Sequence, residues 1–385
     1  MVTAVISEFN PFHNGHAFLI NEARRGGADT VIAVMSGNFV QRGEPALYNW
    51  RVRTEAALNN GVDLVIQLPV AFASAGAENF ARGAVDIING CGVIDNIIFG
   101  SECGNIEKLT EAAKLVLDEK VNAKTKELLS SGITYAAARQ KAVEEINPAI
   151  SALLAEPNNI LGIEYIKALL KSESGVKATT VKRIGPRHDS NEKYDNIASA
   201  SEIRKMIISG EKADKFIPSN FDYGKFTPVD YDKYAAIALY KMRTISAEEL
   251  RFVSDVSEGL ENRITECASK AKSYDELLEM IKTKRYTHAR IRRIILSAVL
   301  GITRDDVASS PRYIRVLGFN EKGRELIVKM KNEAALPIVT KPKDISLLDE
   351  YAAKQFAVEC KAADVYGSFG NFSSAEEKGK VVLDS

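Results

Sequence analysis

The stretch MVTAVISEFNPFHNGH (residues 1–16) runs from a short β-branched segment directly into the start of an amphipathic helix. Further β-branched segments follow along the chain, separated by residues with helical periodicity. Strands are predicted at Val2–Ile6, Thr30–Met35, Asp63–Leu68, Ile94–Phe99 and Ala178–Ile184. Strands that alternate with helices favour an α/β fold with a Rossmann-like, doubly wound parallel sheet. In such a sheet the ligand binds at the carboxyl ends of the strands.

The remaining segments are predicted to be mainly helical. Residues 105–170 have helical periodicity and are interpreted as an insertion into the α/β domain. Periodicity fails around FIPSNFDYGKFTPVD (residues 216–230), where a linker is expected. The polar end of the chain is expected to fray. The predicted division is an α/β domain at 1–217, a linker at 218–229, a mainly helical C-terminal domain at 230–367 and a tail at 368–385.

Composition excludes several classes of protein. Charged residues make up 26% and apolar residues 45% of the 385 residues, which is ordinary for a globular protein and argues against a disordered or fibrous chain. Because 51 basic residues balance 51 acidic ones, any site for a polyanion must be local. The four cysteines form no C-x-x-C pair, and the sequence has neither a signal-like start nor a long apolar run. We therefore expect a cytoplasmic protein that does not span a membrane.

The end of the opening stretch, PFHNGH (residues 11–16), is the strongest candidate for a catalytic site. His13 and His16 lie three residues apart where the first helix is predicted to begin, so both imidazoles can face one ligand. The free N–H groups and dipole of that helix favour an anion, and Gly15 allows a phosphate to approach closely. We predict that both histidines are catalytic and donate hydrogen bonds to charge developing on phosphates. In the alternative interpretation, His13 caps the helix and His16 packs.

A second motif, IASASEIR (residues 197–204), follows the fifth predicted strand. A strand, then H-x-G-H, then this S-x-x-I-R motif resembles the nucleotidyltransferase superfamily, whose members attack the α-phosphate of ATP and release pyrophosphate. The resemblance implies that Ser199, Ser201 and Arg204 hold the β- and γ-phosphates at a second helix N-terminus. Considered alone, either serine is a good N-cap and Arg204 is a solvated helix residue.

Further segments resemble the tRNA(Met) cytidine acetate ligases over essentially the whole chain. They are ISEFNPFHNGH (6–16), MSGNFVQRGEPA (35–46), IIFGSE (97–102), EPNNILGIEYIKAL (156–169), KRIGPRHDS (182–190), THARIRRIIL (287–296) and RVLGF (315–319). The resemblance implies a ligase that activates acetate with ATP to acetyl-adenylate and then acetylates N4 of the wobble cytidine of elongator tRNA(Met). Mg²⁺ is expected to be carried mainly by ATP, because no dedicated carboxylate cage or other protein metal site is visible.

The resemblance also assigns the nucleotide-binding residues. For Asn158 and Asn159, of which one is implied to contact the nucleotide, helix capping is the alternative role. The loop at residues 36–43 suits a flexible cover over the acyl or phosphate end, and a plain surface loop is the alternative. The residues implied to bind ATP are Ser7, Glu8, Phe9, Asn10, Pro11, Phe12, Asn14, Gly15, Gly100, Asn158, Asn159, Arg183, Ile184, Ser199, Ser201 and Arg204.

The window from Lys282 to Arg315 is strongly basic. It holds nine basic residues against Asp305 and Asp306, a net charge of +7. On a helix, its cationic side chains lie on one face and its isoleucines on another, which favours RNA backbone on the free face over a merely solvated one. We expect this surface to bind tRNA without touching ATP. The predicted tRNA-binding residues are Arg187, His188, Lys284, Arg285, His288, Arg292, Arg293, Arg312 and Arg315.

Two other functions compete with this interpretation. One is a small-molecule adenylyltransferase whose helical half serves oligomerisation, and the other is a catalytically silent RNA-binding protein. The basic window argues against the first, and the paired histidines argue against the second. Without the resemblance, the residues do not distinguish acetate from other carboxylates or cytidine from other bases, and they leave the oligomeric state open.

Overall fold

The computed structural model describes residues 1–183, 196–257 and 259–383. The strands, numbered along the chain, are β1 (Val2–Ser7), β2 (Thr30–Ser36), β3 (Phe39–Val40), β4 (Glu44–Pro45), β5 (Leu64–Leu68), β6 (Asn96–Ser101), β7 (Lys177–Lys182), β8 (Ile314–Phe319), β9 (Ile338–Val339) and β10 (Val382–Leu383).

The helices of the first half cover the sheet and form the segment between β6 and β7. They are α1 (Asn14–Arg25), α2 (Trp50–Leu58), α3 (Val70–Ala73), α4 (Ala77–Cys91), α5 (Ile106–Leu117), α6 (Glu119–Leu129), α7 (Tyr135–Glu144), α8 (Pro148–Ser151), α9 (Pro157–Lys171) and α10 (Ala200–Ser209). The later helices are α11 (Tyr231–Thr244), α12 (Ala247–Leu250), α13 (Leu260–Lys270), α14 (Tyr274–Ile281), α15 (His288–Leu300), α16 (Arg304–Ala308), α17 (Glu321–Glu333), α18 (Pro342–Ile345), α19 (Glu350–Gly367) and α20 (Ser374–Glu377).

The main sheet confirms the predicted fold class. Its strand order is β10-β8-β5-β2-β1-β6-β7, and the five strands from β5 to β7 are all parallel. The chain builds outward from β1 to β2 and β5 and then crosses to β6 and β7 on the other side. This reversal creates a crevice at the carboxyl ends of β1 and β6, which is where ligands bind in open α/β sheets.

Burial explains why the strand predictions succeed. Val31–Met35 on β2 and Leu64–Leu68 on β5 are almost completely buried, because helices cover both faces of a parallel sheet. Such strands are continuous apolar runs, and these two are rich in β-branched residues. The edge strand β7 alternates between exposed and half-buried residues instead. The five predicted strands agree with β1, β2, β5, β6 and β7 to within two residues at each end.

The later half is mainly helical, as expected, but it also extends the sheet. Strand β8 pairs antiparallel with β5, and β9 and β10 pair parallel with β8. One continuous hydrophobic core runs from Ala4 to Phe372 and includes residues on both sides of the expected linker. Phe221, Tyr223 and Val229 within residues 218–229 are buried in it. The division into domains therefore stays a prediction, and the segment that joins them packs against the core.

The expectation that the chain frays after Ser368 is wrong up to Leu383. Phe369 and Phe372 are buried, and the indole Nε1 of Trp50 donates to Glu377 Oε2 at 2.7 Å. The polar composition of this segment concealed two aromatic residues that anchor it. Within the described residues, none of the helices has both the length and the apolar character needed to cross a membrane.

Candidate active site

The turn after β1 delivers the H-x-G-H motif to the crevice. Phe9 adopts a φ of 45°, in the left-handed region that bulky residues avoid, so the surrounding contacts must hold this turn in place. The phenolic oxygen of Tyr223 accepts from Phe12 N at 2.9 Å. Arg53 and Arg204 donate to the carbonyls of Glu8 and Asn10, at 2.5 and 2.8 Å. Three side chains distant in sequence thus fix the backbone that leads into α1.

Both histidines use their Nδ1 atoms within the motif. His13 Nδ1 accepts from Gly15 N at 3.0 Å, and His16 Nδ1 accepts from His13 N at 3.3 Å. The rings stack with their centroids 3.9 Å apart. Because Nδ1 is an acceptor in each ring, the proton of the neutral imidazole is on Nε2. His13 does cap α1, as the alternative interpretation expects, yet each ring retains an Nε2–H donor for a ligand.

The surroundings keep both imidazoles neutral. Burial, followed by the positive charges of Arg183 and Arg204, lowers the pKa of His13 to about 3. Burial, His13 and Arg183 likewise lower the pKa of His16 well below its ordinary value. At physiological pH the pair therefore consists of two hydrogen-bond donors without charge. Such donors suit the predicted role of stabilising charge on phosphates, although the catalytic role itself stays a prediction.

The second wall of the crevice comes from the turn after β6. The carboxylate of Glu102 accepts from Asn158 Nδ2 at 2.6 Å and from Asn159 N at 2.8 Å, and thereby satisfies the N-terminus of α9. In return, Asn159 Oδ1 accepts from Glu102 N and Cys103 N at 3.0 and 3.1 Å. Asn159 is 1% exposed, whereas Asn158 is half-buried. Neither asparagine is the N-cap, a position that Glu156 occupies, and Asn158 is the better candidate to contact a nucleotide.

Arg183 joins this wall to the histidines. Its Nη1 donates to Asn158 Oδ1 at 3.1 Å, and its charge acts on both imidazoles. Gly100 makes room for it, since a Cβ at that position would lie 3.1 Å from Arg183 Cγ. The predicted nucleotide residue Ile184 and the predicted tRNA residues Arg187 and His188 lie outside the described residues.

The S-x-x-I-R motif at the start of α10 lies next to the H-x-G-H motif at the start of α1. Asn14 Nδ2 donates to the carbonyl of Asn196 at 2.8 Å, which ties α1 to the residues just before α10. Ser199 is the N-cap of α10 and accepts from Glu202 N at 3.2 Å, as expected for a serine considered alone. Arg204 is buried, so the alternative of a solvated helix residue is wrong. Its Nη2 lies 3.3 Å from Ser201 Oγ.

The remaining residues assigned to ATP line or support the same turn. Ser7 Oγ accepts from Phe9 N at 3.3 Å, and Asn10 Oδ1 accepts from Leu47 N at 2.8 Å. Pro11 and Phe12 are buried behind the histidines. A Cβ at Gly15 would lie 2.9 Å from the His13 ring, so glycine is needed for the cap contact. Contact of these residues with a nucleotide stays a prediction.

The loop at residues 36–43 forms a small hairpin rather than a free cover. Phe39 and Val40 are fully buried and pair antiparallel with β4. Gln41 N donates to Glu8 Oε1 at 3.0 Å. The exposed Arg42 donates from Nη1 to Ser201 Oγ at 3.1 Å and thus brings a third arginine to the crevice.

Two supporting residues, Arg53 and Tyr223, escaped the sequence analysis. Arg53 is fully buried, and its guanidinium donates to the carbonyls of Ser36 and Gly37 as well as Glu8. It therefore ties together the carboxyl ends of β1 and β2. The one local indication of its role is that Arg53 lies on an otherwise apolar face of its helix. Tyr223, in the expected linker, offered no comparable signal.

Some residues of the basic window are exposed, and others contact residues of this chain. Lys282, Lys284 and Arg312 are exposed, and Arg285 is half-buried. His288 Nε2 lies 3.2 Å from Glu279 Oε1. This part of the window retains the features expected of an RNA surface, and its role stays a prediction.

Arg315 contradicts the prediction of a tRNA contact. It is fully buried on β8, and its Nη2 donates to the Glu377 carbonyl at 2.6 Å. Its guanidinium also lies 5.8 Å from the ring centroid of Phe356. Arg315 belongs to a buried strand and cannot reach a polyanion on the surface.

The N-terminal part of α15 contacts the hairpin of β3 and β4. Gly43 has a φ of 77°, and a Cβ there would lie 2.5 Å from Arg293 N. Glu44 lies between two arginines, 3.4 Å from Arg204 and 3.8 Å from Arg292. Arg293 instead lies 3.6 Å from Asp255. Arg292 therefore adjoins the predicted ATP-binding residue Arg204 through Glu44, and Arg293 packs its backbone against the hairpin. The separation of the basic window from ATP stays a prediction.

Comparison with known proteins identifies the family of this chain. The model of the HIGH Nucleotidyl Transferase family matches residues 1–380. A tRNA(Met) cytidine acetate ligase from Thermoanaerobacter sp. (strain X514) is 41% identical over 384 residues, which cover 95% of this chain and 94% of that protein. A protein of the same name from Acetivibrio thermocellus is 39% identical over 393 residues, with the same coverage of both chains.

Solved structures agree over the whole length. The crystal structure of Thermotoga maritima TmcAL bound with alpha-thio ATP is 33% identical, has a TM-score of 0.91 and covers 100% of both chains. The apo form of that protein is 32% identical, with a TM-score of 0.93 and 99% coverage of both chains. The chain therefore belongs to the HIGH nucleotidyl transferase family and, within it, to the tRNA(Met) cytidine acetate ligases.

Proposed function

We propose that this protein is an ATP-dependent ligase that acetylates N4 of the wobble cytidine of elongator tRNA(Met). One observation carries the proposal. The N-termini of α1 and α10 lie side by side, and the neutral pair His13 and His16 lies there next to Arg183. Uncharged donors and a guanidinium at helix starts form a site for the phosphates of a nucleotide. The names of the relatives and the alpha-thio ATP bound in the solved neighbour support ATP and tRNA(Met) as substrates. Because tRNA is the second substrate, we assign the reaction to the cytoplasm.

In the first half-reaction, an acetate oxygen attacks the α-phosphorus of ATP. A new O–P bond forms, the bond to the β-phosphate oxygen breaks, and pyrophosphate leaves with that electron pair. The Nε2–H groups of His13 and His16 donate to the phosphate oxygens on which charge develops. Asn158 and Arg183 orient the nucleotide from the wall after β6, which holds the reactants in line.

In the second half-reaction, the N4 amine of cytidine attacks the carbonyl carbon of acetyl-adenylate. A C–N bond forms, the C–O bond to AMP breaks, and N4 gives up one proton. The target base must leave its stack to reach the crevice. The exposed lysines of the basic window are proposed to hold the RNA backbone meanwhile.

We propose that Mg²⁺ enters with ATP, bound through its phosphate oxygens. Within residues 1–183, 196–257 and 259–383, no three or more His, Cys, Asp or Glu side chains form a group that could hold a metal ion. Mg²⁺ in nucleotide sites uses few protein ligands and keeps several waters.

An ATP–pyrophosphate exchange assay without RNA tests the first half-reaction. Acetate should support exchange, and a panel of other carboxylates should support it less well. The second half-reaction is tested by following the transfer of labelled acetate to tRNA. We expect transfer to tRNA(Met) and none to other tRNAs. Exchange that requires a phosphorylated small molecule instead of a carboxylate would favour the adenylyltransferase alternative.

Replacing Arg204 by alanine is expected to raise the KM for ATP in the exchange assay at least tenfold. A charge-assisted hydrogen bond is worth about 1.5–3 kcal/mol, and Arg204 also fixes the Asn10 carbonyl in the turn that positions the histidines. The matched control is Lys205→Ala, since Lys205 is exposed on the same helix. An unchanged KM for ATP in Arg204→Ala would remove Arg204 from the nucleotide site.

A further inference from the structure

The side chain of Glu8 lies in the crevice at the carboxyl end of β1. Its Oε1 accepts from Gln41 N at 3.0 Å, and its backbone carbonyl is held by Arg53 at 2.5 Å. The next residue, Phe9, has the unfavourable φ of 45°. The residue as a whole is half-buried. One oxygen of the carboxylate is thus held by the hairpin, and the backbone that carries the side chain is held by Arg53 in a conformation that has an energetic cost.

The groups around Glu8 come from five other elements. Arg42 and Glu44 belong to the hairpin, Arg204 to α10, Tyr165 to α9, Tyr231 to α11 and Arg53 to α2. Burial raises the pKa of the Glu8 carboxyl, against the lowering effects of the Gln41 N–H group and the arginines, and Glu44 raises it further. A carboxyl group whose pKa is raised binds a proton more readily than an ordinary carboxyl group, as a proton acceptor requires.

Its negative charge makes Glu8 a poor partner for the phosphates of ATP. Phosphate oxygens accept hydrogen bonds and repel a carboxylate at close range. The prediction that Glu8 binds the nucleotide can apply to the backbone of this turn. Its carboxylate, however, needs a partner that donates a hydrogen bond. In the proposed reaction, the substrate group that donates hydrogen bonds and also loses a proton is the N4 amine of cytidine.

The other named groups of the crevice are already engaged. Each histidine carries its proton on Nε2 and uses Nδ1 as an acceptor within the motif, so neither can take a proton. Glu102 accepts from the N-terminus of α9. Glu44 lies between Arg204 and Arg292. Glu8 uses Oε1 to accept from Gln41 N, whereas its Oε2 has no hydrogen-bond or ion-pair partner among the described residues and is left to accept.

We propose that the Glu8 carboxylate accepts a hydrogen bond from the N4 amine of the target cytidine and removes its proton during acetyl transfer. This inference rests on the proposed function. A glutamate that accepts from cytosine N4 is a known pairing in base recognition. As the C–N bond forms, one N4 proton passes to a Glu8 oxygen. The C–O bond to AMP then breaks with its electron pair on the phosphate, and Glu8 returns the proton to solvent.

The test separates the two half-reactions in Glu8→Gln. Glutamine keeps an oxygen for the Gln41 N–H group but cannot take a proton. Enzyme carrying preformed acetyl-adenylate is mixed with tRNA(Met), and acetyl transfer is followed in a single turnover. We expect transfer to slow about 100-fold or more, because positioned general bases contribute roughly 10²–10⁴-fold. The loss in acetyl transfer should exceed any loss in acetate-dependent pyrophosphate exchange, because only acetyl transfer requires a proton acceptor.

Two further measurements identify the role as proton transfer. The wild-type transfer rate should rise with pH until the Glu8 carboxyl is ionised, and Glu8→Gln should lose this dependence. Glu8→Asp, which retains a base on a shorter side chain, should recover part of the rate. It also provides an answer should the glutamine variant fold poorly. Glu55→Gln, a change of an exposed carboxylate on α2, is the matched control.

Several outcomes would overturn the inference. Equal losses of exchange and transfer in Glu8→Gln would place the carboxylate in the ATP half-reaction, and an unchanged transfer rate would give it no catalytic role. A transfer rate with the wild-type pH dependence in the variant would point to another base. If wild-type protein fails to exchange pyrophosphate with every carboxylate, the proposed function itself fails, which is a separate result.

Discussion

His13→Asn and His16→Asn are each expected to slow acetate-dependent pyrophosphate exchange by about 100-fold or more at saturating ATP. Loss of one preorganised donor to developing charge typically costs roughly 10²–10³-fold in rate. Asparagine is chosen because its Oδ1 can replace Nδ1 as the acceptor from Gly15 N or His13 N. The helix start is then preserved, and the group removed is the Nε2–H donor.

Two other variants separate catalysis from capping. His13→Gln places an amide nitrogen near the former Nε2 and should recover part of the rate lost in His13→Asn. His13→Ala removes the cap as well and should lower the free energy of unfolding by about 1 kcal/mol, measured by urea denaturation. Near-normal exchange in both asparagine variants would leave capping and packing as the only roles of the pair.

The lowered pKa of His13 also predicts how stability depends on pH. In the unfolded chain this imidazole takes up a proton near pH 6.5, whereas in the folded protein its pKa is about 3. Its contribution to stability is therefore fully present above pH 6.5 and is lost as the pH falls toward 3. Urea unfolding between pH 7 and 4 should show a smaller decline for His13→Asn than for the wild type.

Local patterns account for what the sequence predicted well. The parallel strands β2 and β5 are nearly continuous apolar segments, so burial on both faces is visible in the strands themselves. His13 and His16 are close in space because they are close on one helix, and their contacts lie within residues 13–16. The geometry of such a motif is determined by residues within the motif, so the sequence predicts it.

Contacts between distant residues account for what was missed. Arg53 acts on the carbonyls after β1 and β2, and Tyr223 supports Phe12 across 211 positions of sequence. Arg315 was grouped with the cations around it, although the apolar residues beside it belong to strand β8. One of its neighbours in the sheet, β5, precedes it by about 250 residues, and no local pattern reveals that pairing.

The engagement of Arg292 and Arg293 changes how the RNA surface should be tested. Neutralising either one also disturbs Glu44, Asp255 or the hairpin at Gly43. A loss of acetylation in such variants would then not distinguish tRNA binding from nucleotide binding. Lys282 and Lys284 lie on the exposed side of the same window, just before α15, and they are the better probes.

Lys282→Ala/Lys284→Ala is expected to weaken tRNA(Met) binding on the order of 10- to 100-fold at 0.1 M salt, if both lysines bind phosphates. For each phosphate that is no longer neutralised, the slope of log affinity against log salt should become shallower by roughly 0.7–0.9. Binding is measured at several salt concentrations, and pyrophosphate exchange without RNA should remain as in the wild type. A change in mass by sedimentation would instead indicate an oligomerisation surface.

The matched control is Lys329→Ala/Lys331→Ala, two exposed lysines on α17. This variant removes the same total charge from a helix that covers β2, β5 and β8. If tRNA binding depended on bulk electrostatic attraction, both double variants would lose affinity equally, and their salt slopes would become equally shallow. A local RNA surface would make the loss specific to Lys282 and Lys284, because surface charges farther apart than about 10 Å are largely screened at 0.1 M salt. Unaltered affinity and slope in Lys282→Ala/Lys284→Ala would remove this face from the tRNA site, whatever the histidine variants show about ATP.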